Sequence, residues 1–178
     1  MIVDPAQAAR GEAFPLKQTN LVFRNLGLGR FADVTAASGS MFQVPAVGRG
    51  IAAGDIDNDG DVDLVIANNN GPARLLQNDT GAAHPWLGLR LLTADGKRDA
   101  LGAAARLAAP AGSGSHTRHS HTDGSYASAG DPRVLFGLGD ATGLQTVAVT
   151  WPDGATESWP GLAPGHYHTL VQGRPAPP

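Results

Sequence analysis

An acidic loop constrains this chain more than any other feature, because five aspartates fall within nine residues. They are Asp55, Asp57, Asp59, Asp61 and Asp63. Four of them offer carboxylates at loop positions 1, 3, 5 and 9, while Gly60 at position 6 permits a sharp turn that lets Asp61 present its main-chain carbonyl. Oxygen ligands in this order are typical of calcium loops. The five aspartates therefore predict a Ca²⁺ site.

The flanks of the loop predict a β-hairpin and not a pair of helices. Residues 48–54 and 64–67 are short and rich in β-prone side chains, and Ile66 stands where an EF-hand would carry its bidentate glutamate. The alternative is an acidic turn without an ion, since Asp and Gly are ordinary turn residues. Four converging carboxylates would then repel one another by kcal/mol-scale energies. Oxygen-only donors favour calcium over zinc, and a flexible loop favours it over magnesium.

Length and charge bound the domain count and the classes of partner. The 178 residues can form one domain or two small ones, and we predict two. Net charge is −3, and the acidic loop supplies five of the 16 acidic residues. A bound Ca²⁺ would bring the chain close to neutrality. We therefore expect neither nucleic acid nor an anionic membrane as a partner.

The chain contains no cysteine, which fits an extracellular or periplasmic setting where calcium is abundant. Residues 1–5 show no signal-peptide pattern, and no apolar run is long enough to span a membrane. We expect either that a signal peptide has been removed or that the chain is a piece of a longer protein. Membrane insertion is not expected.

Composition and turn signals predict many short strands. With 24 glycines and 13 prolines, the chain suits strands joined by turns, and even the Ala-rich stretch 100–111 is interrupted by glycine and closed by proline. Residues 1–19 show no period and are interpreted as an arm or linker. Residues 21–25 and 31–35 predict a hairpin around a glycine turn. The pattern of residues 20–25 returns at 73–78, a partial repeat with a period near 50 residues.

Two stretches carry family resemblances. Residues 20–35 and 50–68, with the acidic loop, resemble the FG-GAP or VCBS repeat of integrin-type β-propellers, whose Asp-rich hairpin loop binds Ca²⁺. Residues 84–154, with segments such as Asp131-Pro-Arg-Val-Leu-Phe-Gly-Leu-Gly139, resemble the ASPIC/UnbV domain. That order is similar to the C-terminal part of proteins of the cartilage acidic protein (CRTAC-like) family. A propeller closes with about four to eight blades, so this chain cannot form one alone.

These resemblances imply an all-β protein. It comprises a partial, propeller-blade-like FG-GAP hairpin unit and a β-sandwich-like ASPIC/UnbV domain. The predicted organisation is an arm (1–19), an FG-GAP/VCBS-like region with the Ca²⁺ loop (20–82), an ASPIC/UnbV-like domain (83–173) and a tail (174–178). Strands of the second domain are expected near 86–92, 103–108, 116–121, 133–137, 146–151 and 166–171.

A histidine tract offers a competing metal site. His116, His119 and His121 lie within six residues, and strand alternation would place the last two on one face. They lack a cysteine or glutamate partner, so we expect an exposed polar strand and no zinc or copper. Neighbouring Ser120 and Asp123 do not make a nucleophile elbow, and no catalysis is expected.

Three tryptophans raise the possibility of a carbohydrate platform. Trp86 and Trp151 lie in alternating apolar strands and are expected in the core, whereas Trp159, between serine and proline, is expected to be exposed. Asn78 begins an Asn-Asp-Thr glycosylation sequon, to which the sequence assigns no role.

The functional prediction is a non-catalytic, calcium-binding extracellular structural or interaction module. The alternatives are an accessory carbohydrate-binding domain and a metal-dependent enzyme using residues 116–121. The apolar segments 51–53 and 64–67 would be unprotected if they lay at sheet edges, and the N-terminal arm could cover or complement such an edge. We therefore expect a homo-oligomer or filament, or a subunit of a larger extracytoplasmic complex.

Overall fold

The computed structural model describes residues 9–10, 17–79, 84–107, 115–126 and 128–174. Regular structure there is dominated by β-strands, with two short 3-10 helices at Thr35–Ala37 and Ser40–Gln43, and the predicted all-β class is confirmed. The strands, in chain order, are β1 (Phe23–Gly27), β2 (Arg30–Asp33), β3 (Gly48–Gly54), β4 (Asp63–Asn68), β5 (Arg74–Leu76), β6 (Trp86–Leu92), β7 (Ala104–Leu107), β8 (His116–His119), β9 (Asp123–Ser125), β10 (Ser128–Ala129), β11 (Val134–Gly137), β12 (Gln145–Thr150), β13 (Thr156–Leu162) and β14 (Tyr167–Val171).

The chain divides into two compact units. The first contains the described residues up to Gly50 together with Ile66–Leu76, and the second contains Ile51–Val65 with the described residues from Gln77 onward. The chain passes from one unit to the other within β3 and again within β4. The acidic loop therefore belongs to the same compact unit as the C-terminal strands.

In the first unit, β1 and β2 form the predicted hairpin. Phe23 pairs with Asp33 and Asn25 with Phe31, and the strands are antiparallel. At the open end of the hairpin, the Val22 amide donates to the Thr35 hydroxyl at 2.9 Å. The N-terminal arm lies largely outside the described residues, although Gln18 forms a two-way backbone bridge with Ala46.

The acidic loop connects β3 to β4, so its predicted placement in a β-hairpin is confirmed. The sheet has the order β3-β4-β5, which makes β4 central and leaves β3 at an edge. Within the second unit this edge is covered. The Ile51 amide donates to the Ser128 hydroxyl at 2.9 Å, and the Asp131 amide donates to the Ala53 carbonyl at 2.9 Å. Residues 128–131 therefore cover the edge of the apolar segment 51–53, which carries no charged residue or proline of its own to prevent edge pairing.

Two sheets build the core of the second unit. In the first sheet β6 is central, antiparallel to β11 and parallel to β14, and the second has the order β13-β12-β7-β8. Alternating side chains from both sheets form one buried cluster, as expected for a sandwich. Valines and alanines fill the cluster around its largest members, which are Phe136, Trp151, Trp159, Leu87, Leu89, Leu91, Leu107, Leu162 and Leu170.

The predicted strands of this domain correspond to β6, β7, β8, β11, β12 and β14. Residues 108–114, which include the end of the Ala-rich stretch, lie outside the described residues. Strand β13 was not predicted from the sequence. Pro160 and Gly161 interrupt its alternation, and β13 accommodates them because it is an edge strand with a shift in register opposite residues 145–147.

The prediction that Trp159 is exposed is wrong. Trp159 pairs with Val147 of the neighbouring strand, whose side chain is fully buried, and residues paired in this way share a face of the sheet. The indole is accordingly only 3% exposed. Trp151, at 2% exposed, lies in the core as predicted, whereas Trp86 is only partly buried.

Candidate metal centre

The conformation of the acidic loop depends on two residues in the left-handed region. Asn58 has φ 63° and Gly60 has φ 96°. Glycine is also required at position 60 because a Cβ there would lie 2.2 Å from the Trp86 ring. The structure therefore contains the turn predicted at Gly60, and this turn packs against the Trp86 side chain.

Three of the five predicted ligands converge. Asp55, Asp57 and Asp63 can each offer one carboxylate oxygen such that these atoms all lie within 4.8 Å of one another. Asp55 is 2% exposed and Asp63 is 1% exposed, while Asp57 is exposed to solvent. The other two predicted ligands, Asp59 and Asp61, lie on the same loop outside this close group.

Backbone amides orient the two buried carboxylates. The oxygens of Asp55 accept hydrogen bonds from the amides of Asp59 at 3.2 Å and Gly60 at 3.0 Å. The oxygens of Asp63 accept from the amides of Ile56 at 2.9 Å and Asn78 at 2.8 Å. These bonds fix the direction of both side chains and leave further lone pairs on each carboxylate free to coordinate a cation.

The donor set fits a hard divalent cation. Its ligand atoms are all carboxylate oxygens, which Ca²⁺ and Mg²⁺ accept and which zinc sites rarely use alone. The density of negative charge affects the pKa of Asp59. A hydrogen bond from the Asp61 amide lowers the pKa of Asp59, but burial and the charges of the neighbouring aspartates outweigh it and raise that pKa above its ordinary value. The group Asp55, Asp57 and Asp63 could therefore hold a metal ion.

Two side chains distant in sequence contact the loop. The Tyr167 hydroxyl donates to Asp55 Oδ2 at 2.8 Å, and burial, with this hydrogen bond second, raises the pKa of the phenol. Arg133 donates to Asn58 Oδ1 and to the main-chain carbonyl of Asp55. Its Nε donates to Asp131 Oδ2 at 2.6 Å.

Sequence reasoning missed both Tyr167 and Arg133. The hydrogen bonds join Asp55 to Tyr167 across 112 positions and Asn58 to Arg133 across 75. Neither residue lies in a motif with ligand spacing. The available signal was indirect: the carboxylates of an acidic loop that become buried need hydrogen-bond donors or cations near them, and arginine is common at such positions.

The histidine tract has a different environment. His116, His119 and His121 are exposed, and the His121 ring lies 3.2 Å from an oxygen of Asp123, whose side chain is 94% exposed. Ser120 is buried and donates its hydroxyl to the Pro132 carbonyl at 2.9 Å. Within the part of the chain that the structure describes, the histidines form no close three-ligand group.

Comparisons with known proteins agree with both resemblances. The model of the FG-GAP-like repeat family matches residues 13–66, and the model of the ASPIC and UnbV family matches residues 93–177. Cartilage acidic protein 1 of Xenopus tropicalis is 45% identical over 62 residues, which make up 34% of this chain and 9% of that protein. The Mus musculus protein of the same name is 48% identical over 56 residues, or 32% of this chain and 8% of that protein.

The chain thus spans less than a tenth of the length of these curated relatives. The described ranges contain no helix with the length and hydropathy that crossing a membrane requires. Sequence motifs, family matches and the β-rich fold point the same way. The chain carries an FG-GAP-like repeat followed by an ASPIC and UnbV domain, and it is partly homologous to cartilage acidic protein 1.

Proposed function

We propose that this chain is a non-catalytic, calcium-binding structural module of an extracellular or periplasmic protein assembly. The observation that carries the proposal is the convergence of Asp55, Asp57 and Asp63 within 4.8 Å, with two of the three carboxylates buried. Bound calcium would supply the positive charge that offsets them. Asp59 and the Asp61 carbonyl are proposed to complete the ligand set as loop positions 5 and 7.

Asp57 offers the cleanest test, because it is an exposed member of the group and its replacement leaves the core untouched. Titration calorimetry of the chelator-treated protein should show one Ca²⁺ per chain. Asp57→Asn should weaken that affinity at least tenfold, because it removes a negatively charged ligand. The matched control, Asp140→Asn, exchanges an exposed aspartate on the loop after β11 and should bind as the parent does.

Calcium should also stabilise the fold. A ligand at a hundred times its Kd adds about 2.7 kcal/mol to the free energy of unfolding. Thermal unfolding in millimolar Ca²⁺ should therefore occur at a clearly higher temperature than in EDTA. Identical unfolding in the two buffers, together with the absence of calorimetric heat, would refute calcium binding. Magnesium should bind more weakly, because it requires a near-octahedral site.

Assembly is the second part of the proposal, and the surface of the first unit supports it. Phe23 is 54% exposed and Phe31 is 61% exposed. They share one face of the hairpin, because Phe31 pairs with Asn25, two residues along the strand from Phe23. A lone two-stranded hairpin is marginally stable in water, and exposed apolar patches of this kind mark protein interfaces. A second copy of the chain or a larger extracytoplasmic partner would cover this face.

Light scattering after size-exclusion chromatography tests self-assembly. The parent is expected to elute with a mass above that of the 18.2 kDa monomer, and the double variant Phe23→Ser, Phe31→Ser should shift towards the monomer. Leu144→Ser changes a residue that is 71% exposed in the second unit and should leave the mass unchanged. A monomeric parent would leave only a different protein as the partner.

Two observations weigh against the alternatives. The indoles of Trp151 and Trp159 lie in the core, which removes two of the three aromatic faces that a carbohydrate platform would use. Exposed histidines without a buried acidic partner offer no fixed geometry for a catalytic metal. The proposal therefore assigns no catalytic role to residues 116–121.

A further inference from the structure

The loop contacts side chains that lie in or beside the strands of the ASPIC and UnbV domain. Tyr167 opens β14 and reaches Asp55, the first residue of the loop, through its hydroxyl. Its ring lies directly over Gly88 of β6, where a Cβ would be 2.3 Å from the nearest ring atom. The Tyr167 ring therefore packs in a fixed position on the core sheet, and its hydroxyl points towards Asp55.

Arg133 holds the same loop from a second direction. Its guanidinium donates to the Asn58 side chain and to the Asp55 carbonyl while Asp131 accepts from its Nε. The same group lies 4.2 Å from the centroid of the Tyr167 ring. A planar guanidinium with forked donors can satisfy all these contacts together, which an ammonium cannot.

Packing completes the arrangement. The Trp86 ring fills the space beside Gly60 on the loop and lies 5.2 Å from the Tyr167 ring, measured between centroids. An aromatic pair on the core sheet therefore supports the turn of the loop, and Arg133 supports its first half. All of these residues belong to the second compact unit.

From this geometry we infer that Tyr167 and Arg133 are positioning residues for the metal loop, so that the ASPIC and UnbV domain sets the calcium affinity of the FG-GAP-like repeat. The inference rests on the proposed calcium function. Hydrogen bonds to a ligating carboxylate restrict its orientation, and losing such a partner typically weakens metal binding about 10–100-fold. A cation beside the loop also reduces repulsion among its carboxylates while no ion is bound.

Tyr167→Phe removes only the hydroxyl and retains the ring on Gly88. Its calcium Kd, measured by calorimetry at a temperature where the protein is fully folded, should rise about tenfold. Unfolding in EDTA should change much less than unfolding in calcium. Tyr126→Phe is the matched control, because Tyr126 is 87% exposed, and it should bind as the parent does.

Arg133→Lys keeps the charge but loses the forked donors, and it should also weaken binding about tenfold. Its control is Arg106→Lys on the exposed face of β7. Terbium, as a calcium substitute, gives a spectroscopic readout. Emission sensitised by Trp86 should require a higher terbium concentration in both variants, and Trp86→Phe should reduce the emission itself.

The outcomes separate the two ideas. If the parent binds calcium and both Tyr167→Phe and Arg133→Lys bind with the parental Kd, the positioning role is wrong and the calcium function stands. If the parent binds no calcium, both ideas fail. Weaker binding in both variants with parental stability in EDTA supports the positioning role, since a merely structural role would lower stability without changing the Kd of the folded protein.

Discussion

Replacing Trp159 with alanine is expected to lower the free energy of unfolding by about 3–5 kcal/mol, the cost of deleting a large aromatic side chain from a packed core. The indole is 3% exposed and lies on the face that β13 shares with Val147. The cavity would open on an edge strand, next to the shift in register opposite residues 145–147.

Urea unfolding followed by circular dichroism, with calcium held constant, measures this loss. The control is Tyr126→Ala, which removes an aromatic side chain that is 87% exposed and should change stability by no more than about 0.5 kcal/mol. Parental stability in Trp159→Ala would mean that the indole does not lie in the core.

Asp63→Ala is expected to abolish calcium binding and to destabilise the protein even in EDTA. Both oxygens of this side chain accept backbone amides, from Ile56 and Asn78, and the residue is 1% exposed. Each partly buried amide that loses its acceptor costs about 1–3 kcal/mol, so the expected loss for the two amides is roughly 2–6 kcal/mol. Asp57→Asn, by contrast, should lose affinity with little loss of stability in EDTA.

Calorimetry and denaturant unfolding, each with and without chelator, separate these two contributions. Asp63→Asn retains one acceptor oxygen and should fall between the parent and the alanine variant in stability. Asp140→Ala is the exposed control and should match the parent within about 0.5 kcal/mol. An Asp63→Ala variant with parental stability in EDTA would show that the carboxylate does not organise the loop.

Strands and turns that depend on residues close together in the chain could be predicted from the sequence. Alternating apolar residues placed β6 and β12, and the spacing of aspartates around Gly60 placed a sharp hairpin loop between β3 and β4. In each case the sequence pattern and the strand or turn that it predicts lie in the same few residues. The contacts that decide them are near neighbours in the chain or follow from a period of two.

Features decided by distant partners were not predictable in this way. The seven residues of β13 include Pro160 and Gly161, and only pairing with β12 shows that Trp159 points inward; Gly161, with φ 77°, absorbs the irregularity. The cover of β3 by residues 128–131 and the contacts of Tyr167 with Asp55 likewise join segments that no local pattern connects. A pattern along one strand carries no information about which segment will lie beside it.

The 112-residue separation between Asp55 and Tyr167 has a consequence for the order of events during protein synthesis. Chains are made from the N-terminus, and domains fold as their residues become available. The acidic loop leaves the ribosome first, Arg133 follows it, and Tyr167 of β14 is made last of the three. Until β14 is made, the loop lacks the hydrogen bond from the Tyr167 hydroxyl to Asp55. A chain that stops short of β14 would therefore leave the ribosome with the loop held by Arg133 but without the hydrogen bond from Tyr167.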